Sequence, residues 1–277
     1  MGQQNQYQPS SNTFHENHAR KDPQMSITNT TDIKHYSSVD EVAARDSLLG
    51  LLRSAPIPGD QLLSNMGLFL ESKNLARILF MDHLYRQIID VQGVIMEFGT
   101  RWGQNAALFA ALRGIYEPFN RHRRIVAFDT FNGFPSVAPE DGQSDLMRKG
   151  QLATAADYDH FLKNVLSAQE ALNPLSHIKK NEICKGDATL ELPAYLKRSP
   201  ETIVALAYLD FDLYEPTKKC LEIIRPRLVK GSVVGFDELN DADSPGETLA
   251  LLETFGLNNV RLKRFPYASR VSYFVVE

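Results

Sequence analysis

The chain has 277 residues, of which 43% are apolar and 23% charged, and its 30 Lys and Arg against 34 Asp and Glu leave a formal charge of −4. Such values exclude a wholly disordered chain, a collagen-like chain and a disulfide-stapled miniprotein. The acidic balance argues against a general nucleic-acid binder, and the two cysteines, Cys184 and Cys220, form neither a disulfide framework nor a zinc signature.

Residues 1–35 are rich in Gln, Asn, Ser, Thr and His and read as a mobile polar tail, with ordering on a partner subunit as the alternative. The start lacks the apolar stretch of a signal peptide. Gly2 lacks the Ser or Thr of a myristoylation signal, since Gln6 stands there. The sequon at Asn29 carries little meaning without a secretion signal, and the expected location is the cytoplasm. No membrane contact is expected, because the longest apolar run, Ile203 to Leu209, is too short to span a bilayer. A helix is expected from Ser38, where Ser38 and Glu41 make a capping-box pattern ahead of Val42, Leu48, Leu49 and Leu52. The APIPGD stretch, Ala55 to Asp60, breaks it. A second helical pattern runs from Ser72 to Ile89, with Leu75, Ile78, Leu79, Ile88 and Ile89 on one face.

After Gly93 short apolar runs alternate with helical stretches. The runs are VIMEFG, RIVAFD, EICKGD, TIVALAYLD and SVVGFDE; the helices are expected at Gln104–Tyr116, Tyr158–Leu172 and Pro216–Leu228. This alternation predicts an α/β fold, a parallel sheet with helices on both faces and all strand carboxyl ends on one edge. Two last runs, VRLKRFPY and SRVSYFVVE, read as a closing antiparallel pair.

In such sheets the ligand site lies outside the strand carboxyl ends, and the acidic and glycine-rich residues fall there. Glu97-Phe98-Gly99-Thr100-Arg101-Trp102-Gly103-Gln104-Asn105 leaves a strand for a helix. Its glycines allow close backbone approach, and its G-x-x-x-G spacing disfavours a pyrophosphate cradle. An acid before the glycine suits an amino-bearing ligand; a plain tight turn is the structural alternative. Asp129 can accept both hydroxyls of a ribose or act as a cap. In the Thr130-Phe131-Asn132-Gly133 segment that follows, Phe131 can cover a flat base or fill the core. Gly186-Asp187 can meet an adenine amino group or form a turn or cap. Asp210 and Asp212 end one strand, Asp237 and Glu238 the next. On neighbouring strands these carboxylates repel, so a positive group is expected among them, and an oxygen-only set favours a hard ion such as Mg²⁺. His83 is a rival base, or a packed helix residue. Arg121, His122, Arg123 and Arg124 read as a solvated loop, and Arg261, Lys263 and Arg264 as an exposed strand face. Pro245-Gly246-Glu247-Thr248 reads as a helix-starting turn or a pocket wall.

Three blocks, MEFGTRWGQNA, AFDTFNGFP, and LDFDLYEPT with FDELND, resemble a class I S-adenosylmethionine-dependent methyltransferase, and more narrowly the macrocin O-methyltransferase family, over Leu75 to Glu277. Members of that family commonly have Asp-Asp where this chain has Asp237-Glu238, and Gly where it has Phe211. The resemblance implies a Rossmann-like, mostly parallel seven-stranded sheet with an antiparallel C-terminal strand. With the polar tail and the helices expected ahead of the first strand, the chain divides into the tail, N-terminal lid or dimer helices over 36–90 and a cofactor domain over 91–277. The resemblance implies S-adenosylmethionine held by Glu97, Phe98, Gly99, Thr100, Arg101, Gly103, Asn105, Asp129, Thr130, Phe131, Gly186, Asp187 and Asp210. Glu97 would face the methionine ammonium, Asp129 the ribose and Asp187 the adenine. Mg²⁺ would be held by Asp210, Asp237 and Glu238. Asp210 would be ligand and base, with Asp212 assisting as base or second ligand. The implied acceptor is a hydroxyl of a sugar, glycoside or related natural product, a nucleotide sugar included. A catechol-type phenol acceptor and a non-catalytic cofactor-binding subunit are the alternatives, and a homodimer or higher homo-oligomer is expected.

Overall fold

The capping box at Ser38 starts the first helix. The Glu41 N–H donates to the Ser38 hydroxyl at 3.2 Å, and the Ser38 N–H donates to the Glu41 carboxylate at 2.7 Å, so α1 (Val39–Arg53) begins where the box places it. The computed structural model describes residues 37–277; the expectations for the 1–35 tail, for Gly2 and for the Asn29 sequon lie outside the described residues. The APIPGD segment ends α1, and α2 (Gly59–Leu62) and a 3₁₀ stretch, Leu63–Phe69, follow. None of these three elements has a buried residue.

Helix α3 (Ser72–Gln87) buries Phe80, Met81, Leu84 and Tyr85. Leu75 and Leu79, read above as part of its apolar face, are instead 44% and 41% exposed. The aromatic stripe wins the core side because Phe80 packs against Phe265, with ring centroids 5.1 Å apart, and against Tyr208 at 6.1 Å.

Each apolar run becomes a strand: β1 (Val94–Phe98), β2 (Ile125–Asp129), β3 (Asn181–Lys185), β4 (Val204–Leu209) and β5 (Leu228–Phe236). The last two runs supply β6 (Lys263–Arg264) and β7 (Ser272–Val275). The sheet order is β3-β2-β1-β4-β5-β7-β6. The first five strands are parallel; β7 is antiparallel to β5 and β6, the expected closing pair. Side chains alternate between two cores. Met96, Phe98, Val126 and Phe128 face one, with α6 (Ala188–Arg198), α7 (Tyr214–Ile224) and α8 (Gly246–Thr254). Ile95, Ala127, Leu206 and Tyr208 face the other, with α3, α4 (Gln104–Tyr116) and α5 (Tyr158–Ala171).

Helix α6 was not among the expected helices. Pro193 lies inside it and removes one ladder hydrogen bond. Asp187 offsets that loss by capping, its carboxylate accepting the Thr189 N–H at 2.8 Å, and Leu192 and Tyr195 are buried. Helix α7 stops at Ile224, short of the expected Leu228, which opens β5. Both cysteines are free and buried. Among the described residues no helix is long and apolar enough to cross a membrane.

The Arg121–Arg124 loop is only partly the solvated loop expected. Arg121 and His122 are exposed, but Arg123 is 1% exposed. Its guanidinium donates to the carbonyls of Gly93 at 2.6 Å and of Ile88 and Val91 at 2.8 Å, and pairs with Glu117 at 2.7 Å. Arg123 therefore ties the approach to β1 to the approach to β2. Arg123→Met leaves Glu117, whose side chain is 8% exposed, without its cation, and we expect a loss of about 3–5 kcal/mol in urea unfolding. A loss below about 1 kcal/mol would place Arg123 among ordinary surface ion pairs.

Candidate active site

A cavity of about 750 Å³ opens at the carboxyl ends of the parallel strands, where the order reverses between β1 and β4. Gly99, Thr100, Arg101, Gly103, Asn105, Asp129, Thr130, Gly186 and Asp187 line it on the β1–β3 side, and Asp210, Asp212, Asp237 and Glu238 on the β4–β5 side. The start of α3 and residues 267–271 complete the wall.

The two sides touch through backbone. A Cβ on Gly99, whose φ is +82°, would stand 1.9 Å from the Asp210 carbonyl oxygen, and the Asp210 N–H donates to the Phe98 carbonyl at 2.9 Å. Only glycine fits there. Arg101 next to it has φ +48°, a left-handed conformation uncommon without glycine. Its N–H donates to Asp129 at 2.7 Å, and the Phe131 N–H donates to the other Asp129 oxygen at 2.6 Å. Asp129 thus fixes the turns after both β1 and β2 while lining the cavity. Burial raises its pKa, and the two N–H donors oppose that shift. The Thr130 hydroxyl donates to the Gly133 carbonyl at 2.8 Å.

Glu97 is fully buried, and neither of its oxygens closes a hydrogen bond of good geometry. Burial pushes its carboxyl up to about 8, with the neighbouring Thr100 and Asn105 side chains offsetting part of the penalty. The Thr100 hydroxyl is also buried and unpaired. Unpaired polar atoms beside a cavity wall suit a ligand with a cationic donor. Three residues of the implied cofactor set do not line the cavity: Glu97 is fully buried beside Thr100 and Asn105, and Phe98 and Phe131 face the core. Phe98 stacks on Phe128 at 5.0 Å, and Phe131 is 4% exposed among the residues packed with α4 and α5. Phe134 and Phe211 turn toward the cavity. Sequence adjacency to Asp129 favoured Phe131, but its left-handed backbone, φ +58°, accompanies burial in the sheet's other face.

Strands β4 and β5 are neighbours, with Leu209 opposite Phe236, so the acids beyond them meet as expected. The positive charge among them is arginine. Arg77 of α3 forms an ion pair with Asp237, bonding its second oxygen at 3.0 Å, and lies 3.7 Å from Asp210. It also donates to the Tyr208 hydroxyl at 2.9 Å, which donates to Asp237 at 2.6 Å. Arg270 pairs with Glu238 and, at 2.7 Å, with Asp241. Glu247 of α8 is fully buried beside them. Sequence reasoning missed Arg77, Tyr208 and Arg270, and left Glu247 as a turn residue. A signal existed for Arg77, which shares a helical stripe with the buried Phe80, Met81 and Leu84.

Carboxylates still outnumber guanidiniums on this wall. Burial, then Asp237, raises the Asp210 pKa well above the usual range. Burial lifts Asp212 to about 7, eased by a bond with Glu238, whose own carboxyl is pushed up by burial and then by Asp212. Asp212 also has φ +59°, a strained conformation at the cavity rim. An oxygen-only set with excess negative charge fits a hard divalent cation. The set is not gathered around one point, however. Among the described residues, Asp157, Asp159 and His160 have ligand atoms within 4.8 Å of one another. They sit at the start of α5, where Asp159 already pairs with Lys185 at 2.7 Å. His83 bonds the Tyr273 hydroxyl at 2.7 Å and packs on Phe265, away from the cavity wall.

No protein-family model and no curated protein matches the chain. Among solved structures, the calicheamicin methyltransferase CalS11 is 44% identical, with 87% of this chain and 94% of that chain covered and a TM-score of 0.85. An apo structure of CalS11, described as a TDP-rhamnose 3'-O-methyltransferase of calicheamicin biosynthesis, is 41% identical over 87% and 96% of the two chains, with a TM-score of 0.77. The O-methyltransferase NovP, 17% identical over 86% and 99%, shares the fold at a TM-score of 0.55. With its sheet order, its cavity at the switch point and this degree of identity, the chain belongs to the class I S-adenosylmethionine-dependent O-methyltransferases.

Proposed function

We propose that the protein methylates a hydroxyl of a sugar carried on a nucleoside diphosphate, with Mg²⁺ assistance. One observation carries the reading: a single cavity joins the Gly99–Asp129–Asp187 side to the acidic β4–β5 side, so cofactor and acceptor would meet within it. The TDP-rhamnose 3'-O-methyltransferase activity of CalS11 supports a deoxyhexose nucleotide as acceptor, and Lys73 and Arg101 on the cavity wall suit a diphosphate.

S-adenosylmethionine, when bound, supplies an electrophilic methyl group. Asp129 would hold the ribose hydroxyls and Asp187 the adenine edge, and Glu97, beneath Thr100 and Asn105, would balance the ammonium charge. Asp210, Asp237 and Glu238, drawn together from their pairs with Arg77 and Arg270, would hold Mg²⁺, which when bound makes a sugar hydroxyl more acidic. Asp212 would take the proton from that hydroxyl, a base suited to neutral pH by its burial. Arg77 and Tyr208 hold Asp237 in place. The fixed wall would keep the acceptor in line with the methyl group, which can supply about 7–11 kcal/mol of a barrier. The buried free thiols of Cys184 and Cys220 support a reducing, cytoplasmic setting.

The test is turnover with TDP-rhamnose, and with catechol as the contrasting acceptor, with and without Mg²⁺, read by mass spectrometry of methylated product. We expect product from the nucleotide sugar alone. Asp212→Asn should lower kcat by about 10²–10⁴-fold while cofactor affinity holds. Methylation of catechol and not of the sugar overturns the acceptor assignment.

Glu97 gives a pH signature. Its pKa near 8 in the free protein stands above that of an ordinary carboxylate, so in the unliganded chain its contribution to stability falls as pH rises from about 4.5 to 8. A cofactor ammonium favours the ionised form. S-adenosylhomocysteine binding should therefore release a proton at pH 7, measured by calorimetry in buffers of different ionisation heat, and affinity should rise between about pH 6 and 8. Glu97→Gln should abolish the release; release that persists in that variant removes Glu97 from this role.

A homo-oligomer is supported by the N-terminal helices, where Val39, Leu51, Leu63 and Leu68 are 85%, 59%, 84% and 66% exposed. Light scattering should give at least about twice the 31.2 kDa chain mass. The double substitution Leu63→Glu, Leu68→Glu should shift it to one chain. A wild-type monomer overturns the assembly.

A further inference from the structure

Helix α8 delivers Glu247 to the β4–β5 side of the cavity with its side chain fully buried. One carboxylate oxygen accepts the Phe211 N–H at 3.1 Å, and the other accepts the Glu238 N–H at 3.2 Å. Phe211 separates Asp210 from Asp212, and Glu238 follows Asp237. The parallel ladder between β4 and β5 ends at Leu209 opposite Phe236, with a last bond from the Asp237 N–H to the Leu209 carbonyl at 3.0 Å. Among the described residues the β4–β5 ladder does not continue beyond that point, and the two oxygens of Glu247 bridge the two segments.

The anchor of this strut is itself fixed. A Cβ on Gly246 would lie 2.6 Å from the Tyr214 nitrogen and 2.8 Å from an Asp141 carboxylate oxygen, so the first turn of α8 is pressed against the start of α7. The same Asp141 oxygen accepts the Tyr214 N–H at 2.5 Å, and its partner oxygen accepts the Ala138 N–H at 2.6 Å. A carboxylate placed close to other acids costs free energy, and a site keeps such a group where its geometry is needed. Carboxylate geometry explains the choice: it offers two acceptor oxygens, whereas a glutamine side chain offers one acceptor and one donor.

We propose that Glu247 is a positioning residue that fixes the spacing of Asp210 and Asp212 against Asp237 and Glu238. The inference rests on the reading of this wall as the site of O-methyl transfer. The full-length protein and its Glu247→Gln and Glu247→Asp variants serve as the test. The Gln variant sets an amide N–H₂ against a backbone N–H, and the Asp variant is too short to reach both amides. Both should lose about 10–100-fold in kcat, with S-adenosylhomocysteine affinity within about twofold of wild type. Hydrogen exchange at the Phe211 and Glu238 amides should be slow in the wild type and faster in both variants.

Wild-type kcat in the Gln variant overturns the proposal. So does a loss of S-adenosylhomocysteine affinity parallel to the loss of kcat, which marks general damage. Should a variant fail to fold, the wild type still decides: rapid exchange at either amide overturns the strut. A wild type that binds S-adenosylhomocysteine but methylates no offered sugar sinks the proposed function. Amide protection then judges the strut by itself.

Discussion

Negative charge gathered at the ends of two adjacent parallel strands is the constraint around which this molecule is arranged. Asp210 and Asp212 leave β4, Asp237 and Glu238 leave β5, and all four border one cavity. Two like charges about 4 Å apart repel by about 4 kcal/mol at an effective dielectric constant of 20. Elements far apart in sequence converge to make that arrangement tolerable. Helix α3 brings Arg77, the segment before β7 brings Arg270, and Tyr208 adds a hydroxyl from within the sheet. Helix α3 and the segment before β7 are thus bound to the site by charge as well as by packing.

The opposite side of the cavity is held by backbone rather than by charge. Gly99 meets the Asp210 carbonyl so closely that a single added carbon has no room. Asp129 then clamps the turns after β1 and β2 through two N–H donors. The β1 turn and Asp210 are thus in direct backbone contact, and that contact joins the two halves of the cavity. Pre-organisation of this kind is what an in-line transfer between two bound molecules requires.

Much of this was legible in the sequence, and the reasons are local. The five parallel strands are short apolar runs flanked by small or acidic residues, and the Ser38–Glu41 box and the Gln104–Tyr116 helix follow from caps and periodicity. The acids at the ends of β4 and β5 are visible because a parallel sheet puts those ends together. What stayed hidden depends on contacts between distant segments. Arg123 looks like part of a basic loop until its three carbonyl partners are in place. Helix α6 was obscured by Pro193, whose local penalty is outweighed by burial of Leu192 and Tyr195. Leu75 and Leu79 have helical spacing, but two aromatic residues of the same helix hold the core side. Phe131 and Phe134 lie three apart, and only the left-handed turn between them decides which one meets the cavity.

Helix α3 shows how these constraints combine. Its buried stripe serves the core through Phe80 and Leu84 and the site through Arg77, so the helix cannot slide or rotate without breaking an ion pair near the cavity floor. Its other face carries Leu75 and Leu79 into solvent, beside a preceding segment with no buried residue at all. The exposed face and the guanidinium that pairs with Asp237 thus belong to one helix, so any contact made on the first bears on the position of the second.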